Sequence, residues 1–208
     1  MSDKHDTVLI IGARGEFGQF LRRDILPSLG VDPLPTIERE TPNSEHPSRL
    51  RHARHVVLAT PLASYSERAG ELAEQCQDLE APTTLWLIPS VQAHVWRTVT
   101  GELAKVRNPY LAAVFAHPMY GPNGFRSTEP EARTFRNLLT ATFEGAEHPL
   151  GEEVAAISNA FRERFNIETT TAFDPEEHDR ITAASQGLSY CVAQLMFEQL
   201  EIDALMLE

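Results

Sequence analysis

The segment Thr7-Val8-Leu9-Ile10-Ile11 is short, apolar and rich in β-branched residues, and it breaks off at Gly12. Such a run reads as a strand buried in a parallel sheet. Glycines recur at Gly15 and Gly18, and a helix is predicted over 16–29, with Phe17, Phe20, Leu21 and Ile25 on one face and Pro27 weakening its last turn. A strand, a glycine turn and a helix in succession leave few folds open. Glycines in the turn permit positive φ, and the helix N-terminus presents backbone N–H groups to a pyrophosphate. The strict fingerprint G-x-G-x-x-G needs a second glycine where this chain has Ala13, so the turn is a variant. Gly18 would let the helix pack closely on the strand.

Glu38 comes twenty residues after Gly18. An acid there accepts hydrogen bonds from an adenosine ribose and favours NAD, whereas Arg14 or the adjacent Arg39 would meet the 2′-phosphate of NADP. The expected cofactor set is Gly12, Arg14, Gly15, Glu16, Phe17, Gly18, Glu38 and Arg39, with Thr60 and Pro61 at the end of the third strand. The other use of the same glycines is packing alone, within a Rossmann-like sheet.

Further strands are predicted over 34–37, 55–60, 84–88, 111–116, 138–143 and 168–173, with helices over 64–76, 91–104 and 151–165. The polar stretch 41–54, with two prolines, reads as a loop. Strands alternating with helices imply an α/β fold with a doubly wound, parallel Rossmann-type sheet. The pattern changes at Asp174-Pro175-Glu176-Glu177, where a cap, a first-turn proline and two carboxylates start a helix running to about residue 200 or beyond. The expected division is a dinucleotide-binding domain over 1–173 and a helical dimerisation segment over 174–208.

Composition excludes several other classes. A net charge of −12 argues against a nucleic-acid partner, which requires clustered Lys and Arg. Cys76 and Cys191 are far apart with no CxxC, so neither a disulfide framework nor a zinc site is expected. His5, His46, His52, His55, His94 and His148 form no ligand cluster and read as surface or strand-edge residues, and no metal is expected. No apolar stretch reaches membrane-spanning length and the N-terminus has no apolar h-region, which predicts a cytoplasmic protein. Trp86 and Trp96 read as core. Met196, Phe197, Leu200 and Leu205 form an apolar seam on the last helix that a partner helix would cover, which favours a homodimer.

Two motifs fall at the carboxyl ends of predicted strands, where open α/β sheets bind ligands. Ser90-Val91-Gln92 follows the fourth strand and His117-Pro118-Met119-Tyr120-Gly121-Pro122-Asn123-Gly124 the fifth. A histidine there can take a proton from a substrate hydroxyl while a nicotinamide takes the hydride, because its pKa lies near neutrality. Its bland alternative is a hydrogen-bonded structural histidine. In combination, Gly12-x-x-Gly15-x-Phe17-Gly18, Ser90-Val91, His117-Pro118-Met119-Tyr120-Gly121-Pro122 and Glu177-His178-Asp179-Arg180 resemble the prephenate and arogenate dehydrogenases of tyrosine biosynthesis, across residues 7 to 195. The resemblance implies oxidation of the C4 hydroxyl of a cyclohexadiene with NAD or NADP, loss of carbon dioxide and aromatisation. It implies His117 as the base and Ser90 as a hydrogen-bond partner of the same hydroxyl, with Asn123, Gln186 and Tyr190 toward the substrate.

The sequence departs from that family in places. Leu87-Ile88-Pro89-Ser90-Val91-Gln92 stands where Asp-x-x-Ser-Val-Lys is usual, Asn123 where an acid often appears, and Tyr190 where a histidine is usual. Relatives continue with further helices, so the expectation is a short, divergent member. Its substrate half is minimal, completed by another chain, adapted to a substrate such as 4-amino-4-deoxyprephenate, or catalytically silent. For His178 and Asp179 a capping or packing hydrogen bond competes with substrate contact.

Overall fold

A computed structural model of the chain describes residues 7–28, 33–81, 83–106, 108, 110–119, 136–143, 168–171 and 175–205. Strand β1 (Val8–Ile11) leads through the glycine turn into α1 (Glu16–Phe20), a π turn (Leu21–Ile25) and α2 (Leu26–Ser28). After α3 (His46–Arg51) come β2 (His55–Leu58), α4 (Tyr65–Gln75), β3 (Thr83–Leu87), α5 (Ala93–Val106) and β4 (Leu111–Met119). Strands β5 (Arg136–Phe143) and β6 (Glu168–Thr171) follow. The chain then runs as α6 (Pro175–Thr182), a π turn (Ala183–Gly187) and α7 (Leu188–Leu205). The long terminal helix is thus present, with Pro175 at its first position. The predicted helix over 151–165 and the capping Asp174 lie outside the described residues.

The strands form one sheet in the order β1-β2-β3-β4-β5-β6. The first four are parallel, with Ile11, Leu58, Leu87 and Phe115 side by side. Beyond the other edge of β1 lies the segment 33–37, bridged in parallel at Val8–Pro33 and Ile11–Ile37. It is the predicted second strand, but it pairs only at intervals, because Pro33 and Pro35 have no N–H to donate. Leu34 and Ile37 donate to the carbonyls of Val8 and Ile10 at 2.8 and 3.1 Å. The chain therefore passes from β1 to one side and returns to β2 on the other, a reversal of the kind at which open α/β sheets bind ligands, outside the carboxyl ends of β1 and β2.

Helices cover both faces. Val8 and Ile10 pack with Phe20, Leu21 and Leu26, whereas Leu9, Ile11, Val56, Leu58, Leu87 and Phe115 pack with Leu72, Val95, Val99 and Leu103 of α4 and α5. Trp86 lies in the core, and Trp96 packs edge-on against Phe115 with ring centroids 5.0 Å apart.

Three expectations are corrected. Strand β5 runs antiparallel to β4. No helical pattern separates the two in the sequence, and neighbouring strands without a crossover helix pair antiparallel. The stretch read as a loop over 41–54 contains α3, because Pro47 fits a first helical turn and Leu50 is wholly buried in the core. His46 and His55 are buried rather than superficial. His46 Nε2 lies 3.2 Å from the Thr41 carbonyl, and Trp86 Nε1–H donates to His55 Nδ1 at 3.4 Å. Both cysteines are free. Among the described residues no cluster of three metal-ligating side chains occurs, and no helix is long and apolar enough to cross a membrane.

Candidate active site

The register places the four parallel strand ends in one row, so everything that follows Ile11, Leu58, Leu87 and Phe115 shares one edge of the sheet. At the first end, Gly12 has φ +84° and donates its N–H to the Ile37 carbonyl at 2.9 Å. A Cβ at Gly12 would lie 2.7 Å from the Ala59 carbonyl oxygen, and one at Gly18 would lie 2.5 Å from the Gly12 carbonyl oxygen. The first glycine thus permits the turn, and Gly18 permits α1 to sit directly on it. Ala13, in place of the usual glycine, is buried in the α1 core. Gly15, in extended conformation, heads the helix without a capping side chain. Phe17 packs on the α1 core beside Phe20, while Arg14, Glu16, Arg39 and Pro61 are exposed.

Two buried oxygens belong to residues that flank this turn. The Glu38 N–H donates to Thr41 Oγ1 at 2.9 Å, but Glu38 Oε1 is buried with no hydrogen-bond partner among the described residues. Thr60 Oγ1 is buried and unpartnered in the same sense, and the Thr60 methyl would lie 3.2 Å from a Cβ at Gly12. Buried acceptors without donors are costly, and a ligand that brings hydroxyl donors relieves that cost. Glycines that admit backbone contact, a helix start and an orphaned carboxylate oxygen fit the phosphates and ribose of a dinucleotide. Arg14 is held by Glu40 at 2.8 Å, in an exposed pair.

At the third and fourth strand ends stand Ser90 and His117. Ser90 is exposed in the turn between β3 and α5. His117 is buried in β4. Its Nδ1 lies 3.0 Å from Nε2 of His178, which is fully buried on α6. His178 Nδ1 lies 2.9 Å from Asp179 Oδ1, and Thr182 Oγ1 lies 3.4 Å from its Nε2. The Asp179 carboxylate also accepts the N–H groups of Gln92 at 2.7 Å and Ala93 at 2.9 Å, and so caps α5 from another helix. Burial and then the neighbouring His178 push His117 down to about 4, against the opposing pull of Asp179. Burial works to raise Asp179, but the Gln92 and Ala93 N–H groups and His178 outweigh it and hold the carboxyl below its ordinary value. At neutral pH His117 is therefore an unprotonated base.

No family model matches the sequence, and no curated protein matches it. Solved structures do. Prephenate dehydrogenase from Aquifex aeolicus is 17% identical with a TM-score of 0.60, over 93% of this chain and 70% of that one. A candidate prephenate dehydrogenase from Corynebacterium glutamicum is 16% identical with a TM-score of 0.61, over 91% and 62%. Pyrroline carboxylate reductase from Plasmodium falciparum, with NADP bound, is 14% identical with a TM-score of 0.58, over 97% and 69%. The chain shares their fold. It spans less than two thirds of the Corynebacterium protein.

The structure brings together, along one sheet edge, the glycine turn, Glu38, Thr60, Ser90 and His117. The predicted substrate half is described only in part. Asn123 lies outside the described residues, and Gln186 falls in the π turn with its side chain outside the description. Tyr190 is 73% exposed on α7. The residues that sequence reasoning undervalued are His178 and Asp179. Their adjacency at the start of a long helix was a signal, but that their partners are His117, Gln92 and Ala93 follows only from the packing of α6.

Proposed function

We propose that this chain is a divergent relative of the prephenate and arogenate dehydrogenases, acting in the cytoplasm on a cyclohexadienyl alcohol. The reading rests chiefly on one observation: His117, buried and held at Nδ1 by His178, shares the sheet edge with the glycine turn. A nicotinamide dinucleotide held along Gly12 to Gly18 supplies the hydride acceptor. Ser90 donates to or accepts from the substrate's C4 hydroxyl and orients it. His117 takes the hydroxyl proton on Nε2 as the C4 hydride departs; carbon dioxide then leaves and the ring becomes aromatic. Glu38, with its orphaned buried oxygen, supports NAD over NADP, and Arg14, paired with Glu40, is less available to a 2′-phosphate. Asn123, Gln186 and Tyr190 are assigned to the substrate side.

The residues over 1–173 form the dinucleotide-binding part in this proposal, and 174–208 the dimerising helix. That helix exposes Leu188, Val192, Leu195 and Met196, which helical spacing sets on one side for a second copy to cover. Exposure of Tyr190 favours a second reading, in which the chain binds cofactor as a partner subunit without turnover. Purified protein mixed with NAD or NADP and, separately, prephenate, arogenate and 4-amino-4-deoxyprephenate distinguishes them. Growth of reduced-cofactor absorbance on one substrate supports the dehydrogenase. Silence on all three, with cofactor binding intact, supports the subunit.

A further inference from the structure

We infer that His178 and Asp179 are positioning residues, a two-residue relay that fixes the proton arrangement of His117 so that its Nε2 faces the substrate as the lone-pair nitrogen. This rests on the assignment of His117 as the base of the site.

A carboxylate only accepts hydrogen bonds, so His178 Nδ1, 2.9 Å from Asp179 Oδ1, carries the proton. With both rings neutral, His178 Nε2 is then an acceptor. His117 Nδ1, 3.0 Å away, must therefore donate to it. One arrangement satisfies all three groups, and it leaves the lone pair of His117 on Nε2. The contrary tautomer of His117 would set two ring lone pairs against each other between two buried side chains, an arrangement that costs about as much as an orphaned buried acceptor. When Nε2 takes up a proton, the new imidazolium keeps its Nδ1–H on His178, and the charge of Asp179 lies behind it. No proton has to travel along the chain for this to hold.

The geometry also explains why the relay is rigid. His178 is fully buried, its ring meets that of His117 edge-on at 67°, and Asp179 is fastened at two points to the N-terminus of α5. The same carboxylate therefore anchors the segment that carries Ser90, two residues before Gln92, and the pair that orients His117. Placing base and serine through one anchor keeps their separation fixed, which hydride and proton transfer from one carbinol both require.

The test is the tautomer itself, read by long-range ¹H–¹⁵N correlation of the histidine rings in the full chain at pH 7, with the His117 signals assigned from their loss in His117→Gln. The expected result is His117 protonated at Nδ1. Protonation at Nε2, or at both nitrogens, overturns the relay whether or not the chain turns over any substrate. Asp179→Asn should raise the Nε2–H population of His117. Where turnover exists, it should also lower kcat about 10- to 100-fold with KM changed less than about threefold. His178→Gln, which keeps an acceptor for His117, should retain more of kcat than His178→Leu. Equal losses in the two variants would reduce His178 to packing. Absence of turnover in the wild-type chain would refute the proposed dehydrogenase and leave the tautomer measurement able to decide the relay.

Discussion

His117 Nδ1 lies 3.0 Å from His178 Nε2, and the two rings meet edge to face although they stand 61 residues apart in the chain. This contact ties the end of β4 to the start of the last helix. It also occupies Nδ1 of His117 and leaves Nε2 as the ring nitrogen outside that contact. Several consequences can be measured.

If His117 is the base, His117→Asn should lower kcat by about two to four orders of magnitude with NAD affinity nearly unchanged. Steady-state kinetics and a fluorescence titration of the cofactor would show it. A rate within a few-fold of wild type would remove His117 from that role.

The depressed pKa of His117 has a defined pH signature. Its folded value is near 4 and its unfolded value near 6.5, so between these the unfolded chain holds more protons and stability rises with pH. The contribution is fully present above about 6.5 and is lost as pH falls toward 4. Urea unfolding of the cofactor-free protein at several pH values should show wild type losing a few kcal/mol relative to His117→Asn over that window. The acid limb of kcat/KM should likewise fall near 4 rather than near 6.5. Parallel stability curves for the two proteins would contradict the assignment.

Gly18→Ala should cost about 1–3 kcal/mol and weaken dinucleotide binding, because the new Cβ meets the Gly12 and Ala13 backbone at 2.5 and 2.6 Å. Gly101→Ala is the control. It lies within α5 with no atom within 4 Å of a new Cβ, and should stabilise the fold by about 0.5–1 kcal/mol. Thermal unfolding of the two variants should move in opposite directions.

Glu38 should set the cofactor preference. Wild type is expected to bind NAD more tightly than NADP, and Glu38→Ala to lose about tenfold in NAD affinity while NADP binding changes little, as for a lost charge-assisted hydrogen bond. Tighter binding of NADP to the unaltered chain would reverse this.

Light scattering should report a mass about twice 23.2 kDa, and Leu195→Asp should shift it toward the monomer by placing a charge on the exposed face of α7. A concentration-independent monomer would leave that face to another partner.

Much of the site was legible before any tertiary contact was known, because its signals are local. The strand at 8–11 and its glycine turn declare themselves by β-branched residues and by spacing, and Ser90 and His117 by their places just after apolar runs. The second strand was legible as an apolar stretch, yet its prolines limit how it pairs. The helix at 46–51 was obscured, because a polar sequence with prolines carries little periodicity when only one apolar residue, Leu50, is buried beside the polar His46.

What the sequence determined by itself, then, is the order of the elements and which of them end in chemistry. Periodicity and backbone preference act over a few residues and do not depend on the rest of the fold. What only the tertiary structure decided is which groups meet. Asp179 looks like a residue of its own helix, and it caps another. His178 looks like a packing residue, and it holds the ring of His117. Hydrogen bonds between elements depend on how helices lie against a sheet, and that is set by the shape of the whole buried core rather than by the few residues that end up touching.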